Sequence, residues 1–482
     1  MSKEALLPNQ ALAVVLGLFV CSALYRGGND SVIVLAAGCV AALALVFLGV
    51  RAIISLESPT ASRAAVAALL ALLVIALCGA VGQVSLPAQQ WLTLPGRDGY
   101  QVATDWLAAT SQQSQRYTLS IDAHRAALAS LVAVAAIACV SIAHLLPLPL
   151  ARRVLALLAC LVITEAVLGL LQLALGSPSF LAYGAAVGNH RATGTFVNKN
   201  HYATLLAMIL PLLIMRSAGQ FRFGSPGHRS GALADTWWAV ATAVVAAALV
   251  SSLSRAGVAA ASVAALLTII LCARNAHSKQ ARVTLVVAAA FAILMSALAG
   301  FGLLLKTLAG PEFLDSISGR NLIYSTTWEA ALQLFPVGGG LGSFALAFPR
   351  YQPSALSGYV EYAHNDYLQL LFELGAVGIA VLALFGSAAA LTVANLTRAG
   401  RSNPSAWTSP AAACALGCLP FSIHAWFDFP SHIPAVAWTA CVLAGFATRI
   451  DLLRSATPRI DSAEVPSHHS RRSSAQHTAA RA

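Results

Sequence analysis

Twelve long apolar runs, most of them close to the length of a bilayer-crossing helix, constrain this chain more than any other feature of its sequence. They fall near 11–25, 31–54, 63–84, 125–149, 153–175, 200–215, 236–253, 256–273, 283–305, 366–396, 409–426 and 433–448. A helix needs about 20 such residues to cross the hydrocarbon core. A soluble domain would also need about a quarter of its residues charged, whereas here 10% are charged and 58% are hydrophobic. The pattern predicts an all-α polytopic membrane protein of about twelve transmembrane helices, with runs 1 and 6 the shortest. A large loop, 306–365, separates helices 9 and 10, and a second long loop covers 85–124. The first run follows Met-Ser-Lys-Glu without a small-residue cleavage site, which predicts a retained helix and not a signal peptide. The Ser-, Arg- and His-rich stretch 451–482 is expected to be a disordered cytoplasmic tail.

The net charge of +11 is not a nucleic-acid signature, because the basic residues punctuate the apolar runs instead of forming a patch. With alternating helices and a cytoplasmic N-terminus, 19 of the 29 Lys and Arg fall on the side of the two termini. That bias predicts both termini in the cytoplasm of a bacterial inner membrane and both long loops on the periplasmic face. The nine cysteines all lie in or beside apolar runs. They read as small packing residues between helices, with Cys414 and Cys418 on one helix face, and not as a disulfide or metal framework.

Polar residues gather on the outer face. The first cluster, Gly188 to His201, precedes the sixth run; Asn198 is a candidate N-cap, and Lys199 and His201 then sit in the first turn against the helix dipole. A cation in that position suggests a bound anion, with Arg191 close by in sequence. The Ser251–Gly257 turn repeats the arrangement: Ser252 or Ser254 can cap the next helix and Arg255 opens it. An arginine this close to hydrocarbon is expensive to keep there. In the large loop, Arg320 and Tyr324 precede Gly338-Gly339-Gly340-Leu341-Gly342, which lacks the Lys-Ser/Thr ending of a phosphate-binding loop and reads as a close backbone approach. Glu361-Tyr362-Ala363-His364-Asn365-Asp366-Tyr367-Leu368-Gln369 follows, with Asp366 and Gln369 at capping-box spacing and His364 just outside the helix start. The last outer turn carries Asp428 and His432, with His424 one turn inside; these two either orient a site or cap the final helix.

Taken in order, the Gly194–Pro211 block, Ser254-Arg255-Ala256-Gly257, Gly319-Arg320, the glycine run, Ala363 to Gly375 and Asp428-Phe429-Pro430 resemble the O-antigen ligase/polymerase family. The likeness covers roughly 160–450 within a transmembrane domain of 1–450; the first 150 residues match only in helix pattern. It implies a metal-independent, inverting glycan transferase that needs no cofactor and takes its donor from undecaprenyl pyrophosphate at the periplasmic face. The acceptor is the lipid A core in ligases, another lipid-linked repeat in O-antigen or exopolysaccharide polymerases, or a protein in a third branch. By motif position the resemblance places the catalytic roles on Arg255, Arg320 and His364. Arg191, Lys199, His201, Asn365, Asp366, Tyr324, Asp428 and His432 are the expected substrate-binding set. The chemistry is consistent: guanidinium groups match departing phosphate oxygens and a histidine can take the acceptor hydroxyl's proton. No carboxylate cluster suited to a divalent ion stands on the outer face.

Twelve helices also suit a transporter or flippase. Such proteins bind near the midplane and show internal repeats; here the halves do not mirror each other, and Glu165 and Gln172 are the main midspan polar residues. A purely structural scaffold would not set cations against helix dipoles in two places, at Lys199 and at Arg255. The ligase reading is preferred, with the polymerase next.

Overall fold

The computed structural model describes residues 3–55, 62–110, 115–181, 183, 191–223, 232–275 and 311–453. The run near 283–305, the stretch 184–190 and the tail beyond 453 lie outside them. Each of the other eleven apolar runs coincides with a helix: α1 (Lys3–Cys21), α2 (Ser31–Ser55), α3 (Arg63–Val81), α6 (Ala123–Leu145), α7 (Leu148–Ala174), α8 (Lys199–Ser217), α9 (Ala232–Ser251), α10 (Arg255–Arg274), α12 (Asp366–Ser402), α13 (Pro410–His424) and α14 (Pro434–Ala447). Six of these are long and apolar enough to cross a membrane, and half or less of each is buried within the protein. The apolar remainder faces outward, as lipid requires. All nine cysteines are free thiols.

The sixth run, short and doubtful as a lipid-facing helix, forms the centre of the bundle. Every residue of α8 from His201 to Arg216 is buried, enclosed by α7, α9, α10 and α13. A helix that meets only protein has no need of lipid-spanning length. Where α10 crosses it, a Cβ on Gly257 would stand 2.7 Å from the Ala203 Cβ, so the glycine permits the close approach.

The midspan polar residues of α7 have a structural explanation. Glu165 accepts hydrogen bonds from the Thr195 amide (2.9 Å) and hydroxyl (2.7 Å). Gln172 donates to the carbonyls of Leu181 and Gly194 and accepts from Thr193. Irregular backbone at depth is tolerated only where protein satisfies it, and these two side chains do so for the segment leading into α8.

The long loops are structured. The first contains α4 (Ala88–Leu92), α5 (Gln101–Thr110) and an antiparallel pair, β1 (Ser85–Pro87) with β2 (Arg116–Thr118), in register Ser85 to Thr118. In the second, the described residues 311–365 carry a 24-residue helix, α11 (Pro311–Leu334), packed on α12.

α12 is two helices meeting at Gly375, whose φ of 53° and ψ of −125° interrupt the helical path. The glycine run fills the break. Gly339 and Gly340 amides donate to the carbonyls of Phe372 and Glu373, and the Ala376 amide donates to Pro336. The orphan groups that a helix end leaves are thus satisfied by another segment's backbone, which only glycines let so close. A Cβ on Gly338 would lie 2.3 Å from the Glu373 carbonyl oxygen. The Glu373 carboxylate accepts from Gly342. Arg97, fully buried with its guanidinium 5.0 Å from the Trp91 ring, donates to Leu119, Gly338 and Gly339 carbonyls. Burial lowers its pKa to about 10, with Tyr100 and Tyr351 opposing.

Candidate functional site

The site forms where five segments converge: the start of α8, the turn before α10, α11, and the facing turns 361–366 and 425–432. His364 precedes the first half of α12 with φ at 52°, a conformation uncommon outside glycine and held only by surrounding structure. Its carbonyl accepts from the Tyr324 hydroxyl at 2.8 Å, and two residues on the Asp366 amide donates to Ala425. Its side chain, 32% exposed, places Nδ1 3.2 Å from Oδ1 of Asp428, which is wholly buried. Burial alone would raise the Asp428 carboxyl. The hydrogen bond from His364 and the nearby His201, His364 and His424 more than reverse that and hold it well below the usual carboxylate range. A carboxylate on Nδ1 fixes the proton there and leaves Nε2 to accept one. Asp428 therefore orients the histidine and does not cap α14, whose N-cap is Ile433 without a side-chain bond.

A second aspartate–histidine pair runs the other way between the same two turns. Asp366 Oδ1 lies 3.0 Å from His432 Nδ1, and its Oδ2 accepts from the Ser431 amide. The capping side chain of α12 is Asn365, which accepts from Leu368; Asp366 is thus a cross-link between turns and not the cap its spacing with Gln369 suggests. Gln369 instead bonds the Ala363 amide, Glu373 and His432 Nε2. Burial alone would lower the His432 pKa, but its bond to Asp366 and the charges of Asp366 and Glu373 raise it, with Arg125 opposing. Phe429 sits between the turns, stacked on Tyr362 at 4.0 Å and edge-on to His364 at 5.1 Å.

The cations gather beside this pair. Asn198 caps α8 and Ser254 caps α10, and the Ser254 hydroxyl donates to Asn200, so the two helix starts are joined. Lys199 donates to the Leu253 carbonyl at 2.9 Å, a protein partner for the cation set against the dipole. Its pKa falls to about 8, through burial first and then the charges of Arg191, Arg255 and Arg320. Those three arginines, from three separate segments, therefore share one neighbourhood with Lys199. Arg320 also acts on His424 and Tyr324, which joins the basic group to the histidine–aspartate pair. Arg255 is exposed, Arg191 is exposed, and Arg320 is half-buried.

His201 lies behind this surface: it is 4% exposed with its ring 4.8 Å from Phe429. Glu361, the other carboxylate of the motif, is drawn off by Arg125 at 3.1 Å. His424, Gln369 and Phe429 join the site without having been singled out for it in the sequence. Only the placement of His424 one turn from Asp428 hinted at its part. Among the described residues no group of three His, Cys, Asp or Glu side chains is arranged to hold a metal ion.

Residues 240–383 match a family model described as O-antigen ligase. The matched stretch contains Arg255, Arg320 and His364, whereas Arg191, Lys199, Asp428 and His432 lie outside it. No curated protein matches the chain.

Proposed function

We propose that this chain, an O-antigen ligase-family protein by its residues 240–383, transfers a glycan from a polyprenyl-pyrophosphate carrier to an acceptor hydroxyl at the outer face of a bacterial inner membrane. The family match and the apolar helices support a multi-pass membrane enzyme of the ligase/polymerase type. The observation that carries the finer reading is the pairing of His364 with the buried carboxylate of Asp428 beside a group of arginines from separate segments.

The acceptor O–H bond breaks as its proton moves to His364 Nε2, and the freed oxygen forms the new bond at the anomeric carbon. The bond from that carbon to the pyrophosphate oxygen breaks with its electron pair, in one displacement that inverts the centre. Asp428 stabilises the imidazolium that forms, in the manner of an aspartate behind a catalytic histidine. Arg255 and Arg320 meet the departing charge with bidentate donors, and Lys199 and Arg191 add to the field. A pyrophosphate already leaves readily, so the protein supplies a base and cations and no general acid. Tyr324 fixes the His364 backbone through its 2.8 Å bond. Asn365 and Asp366 hold the turn that carries His364, and His432 clamps it from the facing turn.

The test is a strain lacking the protein, restored with the natural sequence or with His364→Ala, Arg255→Ala or Arg320→Ala, scoring lipopolysaccharide and secreted polysaccharide together. The expected result is that core lipid loses its ladder while full-length chains stay on the carrier, and that each variant behaves as the deletion at unchanged membrane levels. A ladder cut to one repeat, or loss of secreted polymer with normal lipopolysaccharide, identifies a polymerase. If neither pool changes, the transferase reading is wrong.

A further inference from the structure

A groove of about 290 Å³ lies beneath α5, walled by Trp91, Tyr100, Leu107, Tyr117, Ile121 and Leu346. None of these residues belongs to the site described above. The last of them is part of the short helix Phe344–Ala347. The lining holds no charged side chain and no side-chain amide. Its three aliphatic hydroxyls donate to backbone carbonyls: Thr104 to Gln101, Thr118 to Ser120, and Ser120 to Asp122 and Leu341. The indole N–H of Trp91 donates to the Thr118 carbonyl at 2.8 Å. Apart from the Tyr100 and Tyr117 hydroxyls, the groove therefore offers apolar surface. A sugar, with a hydroxyl on nearly every carbon, finds few partners in such a lining, whereas a hydrocarbon chain needs none.

The rim of the groove is apolar as well. α5 buries only Thr104 of its ten residues, and a helix that short is marginal in water without packing. Val102 is 80% and Trp106 66% exposed, one turn apart on the same helix face, and Leu346 is 56% exposed. Exposed apolar groups gathered in this way mark a contact surface. Chain connectivity puts that surface at membrane level. Ile121 lies two residues before α6, and Val84 lies three residues after α3; both helices are long and apolar enough to cross a membrane. α3 exposes Val66, Leu70, Leu73, Leu77 and Val81, and the exposed Val84 extends the stripe. The Val84 carbonyl accepts from the Leu119 amide, beside the β2 residues Tyr117 and Thr118 that wall the groove. The lipid-facing flank of α3 thus leads to the groove itself.

We propose that the groove under α5 is a lipid site. One acyl chain of a phospholipid, from the leaflet on the side of the long loops, lies in it, and α5 rests in that leaflet's interface through Val102 and Trp106. Pockets that enclose whole small ligands measure about 300–1,000 Å³, so this one takes part of a single chain and leaves the headgroup outside. Tyr100 and Tyr117 suit that depth, because aromatic rings with a polar tip belong at a membrane–water boundary. The loop that holds the lipid also braces the glycine run, through the Ser120 hydroxyl on Leu341 and the Ile121 amide on Gly339.

The proposal is independent of the transfer chemistry. It is tested on the full chain reconstituted into vesicles of phosphatidylethanolamine and phosphatidylglycerol. Tryptophan emission is compared between ordinary lipids and lipids brominated near the carboxyl or the methyl end of their acyl chains, since bromine quenches indole only at close range. The chain has eight tryptophans, so Trp106 is read as the difference between the natural protein and Trp106→Phe. That share should be quenched about twofold more by the shallow bromine than by the deep one, as for a helix lying in the interface. Ala103→Phe fills the groove without adding a tryptophan; it should free Trp91 from quenching and leave Trp106 unchanged. Trp91→Phe removes the reporter and leaves the groove open. It should lower total quenching by the same amount, which separates a filled groove from a disturbed fold. A Trp106 insensitive to either bromine places α5 in water and overturns the proposal. So does quenching in Ala103→Phe equal to that of the natural protein. If bromine spares Trp91 and a neutral trisaccharide shifts its emission, the groove takes glycan and the lipid assignment is wrong.

Discussion

Replacing Asp428 by Asn tests the heart of the site, since it preserves shape while removing the charge behind His364 and turning one acceptor oxygen into a donor. The carboxylate is wholly buried and, among the described residues, its one side-chain bond is to His364 Nδ1 at 3.2 Å. Bare Coulomb attraction at that distance, with an effective dielectric of about 20, gives about 5 kcal/mol. That figure is an upper bound. Hydrogen bonds to charged groups measure about 1.5–3 kcal/mol, and 3.2 Å is long for a charge-assisted bond, so the lower half of that range applies. A loss of about 1.5–2 kcal/mol in stabilising the imidazolium is about 10- to 30-fold in kcat. The asparagine amide can also donate to Nδ1 and select the tautomer that carries hydrogen on Nε2, which cannot take a proton. The two effects together predict a fall on the order of 100-fold in kcat with a smaller change in KM. Stability supplies a second readout. A carboxyl held below its ordinary value contributes stability that is present above about pH 4 and lost as pH falls. The variant's melting temperature in detergent should therefore lie below the natural protein's at pH 7 and converge on it in acid. Transfer within threefold of the natural rate, at matched membrane levels, would refute the orienting role.

Gly338→Ala should destabilise by about 2–4 kcal/mol, since φ is +81° and the new methyl would stand 2.3 Å from the Glu373 carbonyl oxygen; an unchanged melting temperature would contradict the close fit of the glycine run. His432→Gln should lower the melting temperature at pH 6 and have little effect at pH 9. His432 has a raised pKa, so its contribution is complete below the unfolded value of about 6.5 and lost as pH rises through the folded one. A deficit that grows toward alkaline pH would show the sign to be wrong.

Features carried by short-range pattern were legible in the sequence. The apolar runs correspond to helices because a bilayer leaves few other ways to satisfy backbone groups, and the glycine run announced a close backbone approach. What the glycines approach was not readable: Gly375 sits inside an unbroken apolar stretch, and the segment that satisfies the break is about 35 residues upstream. Asn365 and Asp366 are both good caps, and only the contact of Asp366 with Ser431 and His432 decides which one caps. Lys199 against a helix dipole suggested an anion, while its partner carbonyl belongs to Leu253, 54 residues away. Glu165 and Gln172 read as oddities of a span because the backbone they hold follows 20 to 30 residues later. The clustering of Arg191, Arg255 and Arg320 around Lys199 depends on three separate segments returning to one place, which no local spacing encodes.

The interruption at Gly375 has a mechanical consequence. A transmembrane rod answers a thicker or thinner bilayer by tilting, and a continuous helix would carry that tilt straight into the histidine at its outer end. Here the nine residues from Asp366 to Leu374 hang from the backbone of the Pro336–Gly340 turn, while the rod proper begins beyond the joint. A break of this kind separates the two halves mechanically, so that tilting of the lower one need not be transmitted to the upper one, which is tied to the 336–340 turn. If His364 is the base proposed above, its setting would then depend on the 336–340 turn more than on the thickness of the bilayer.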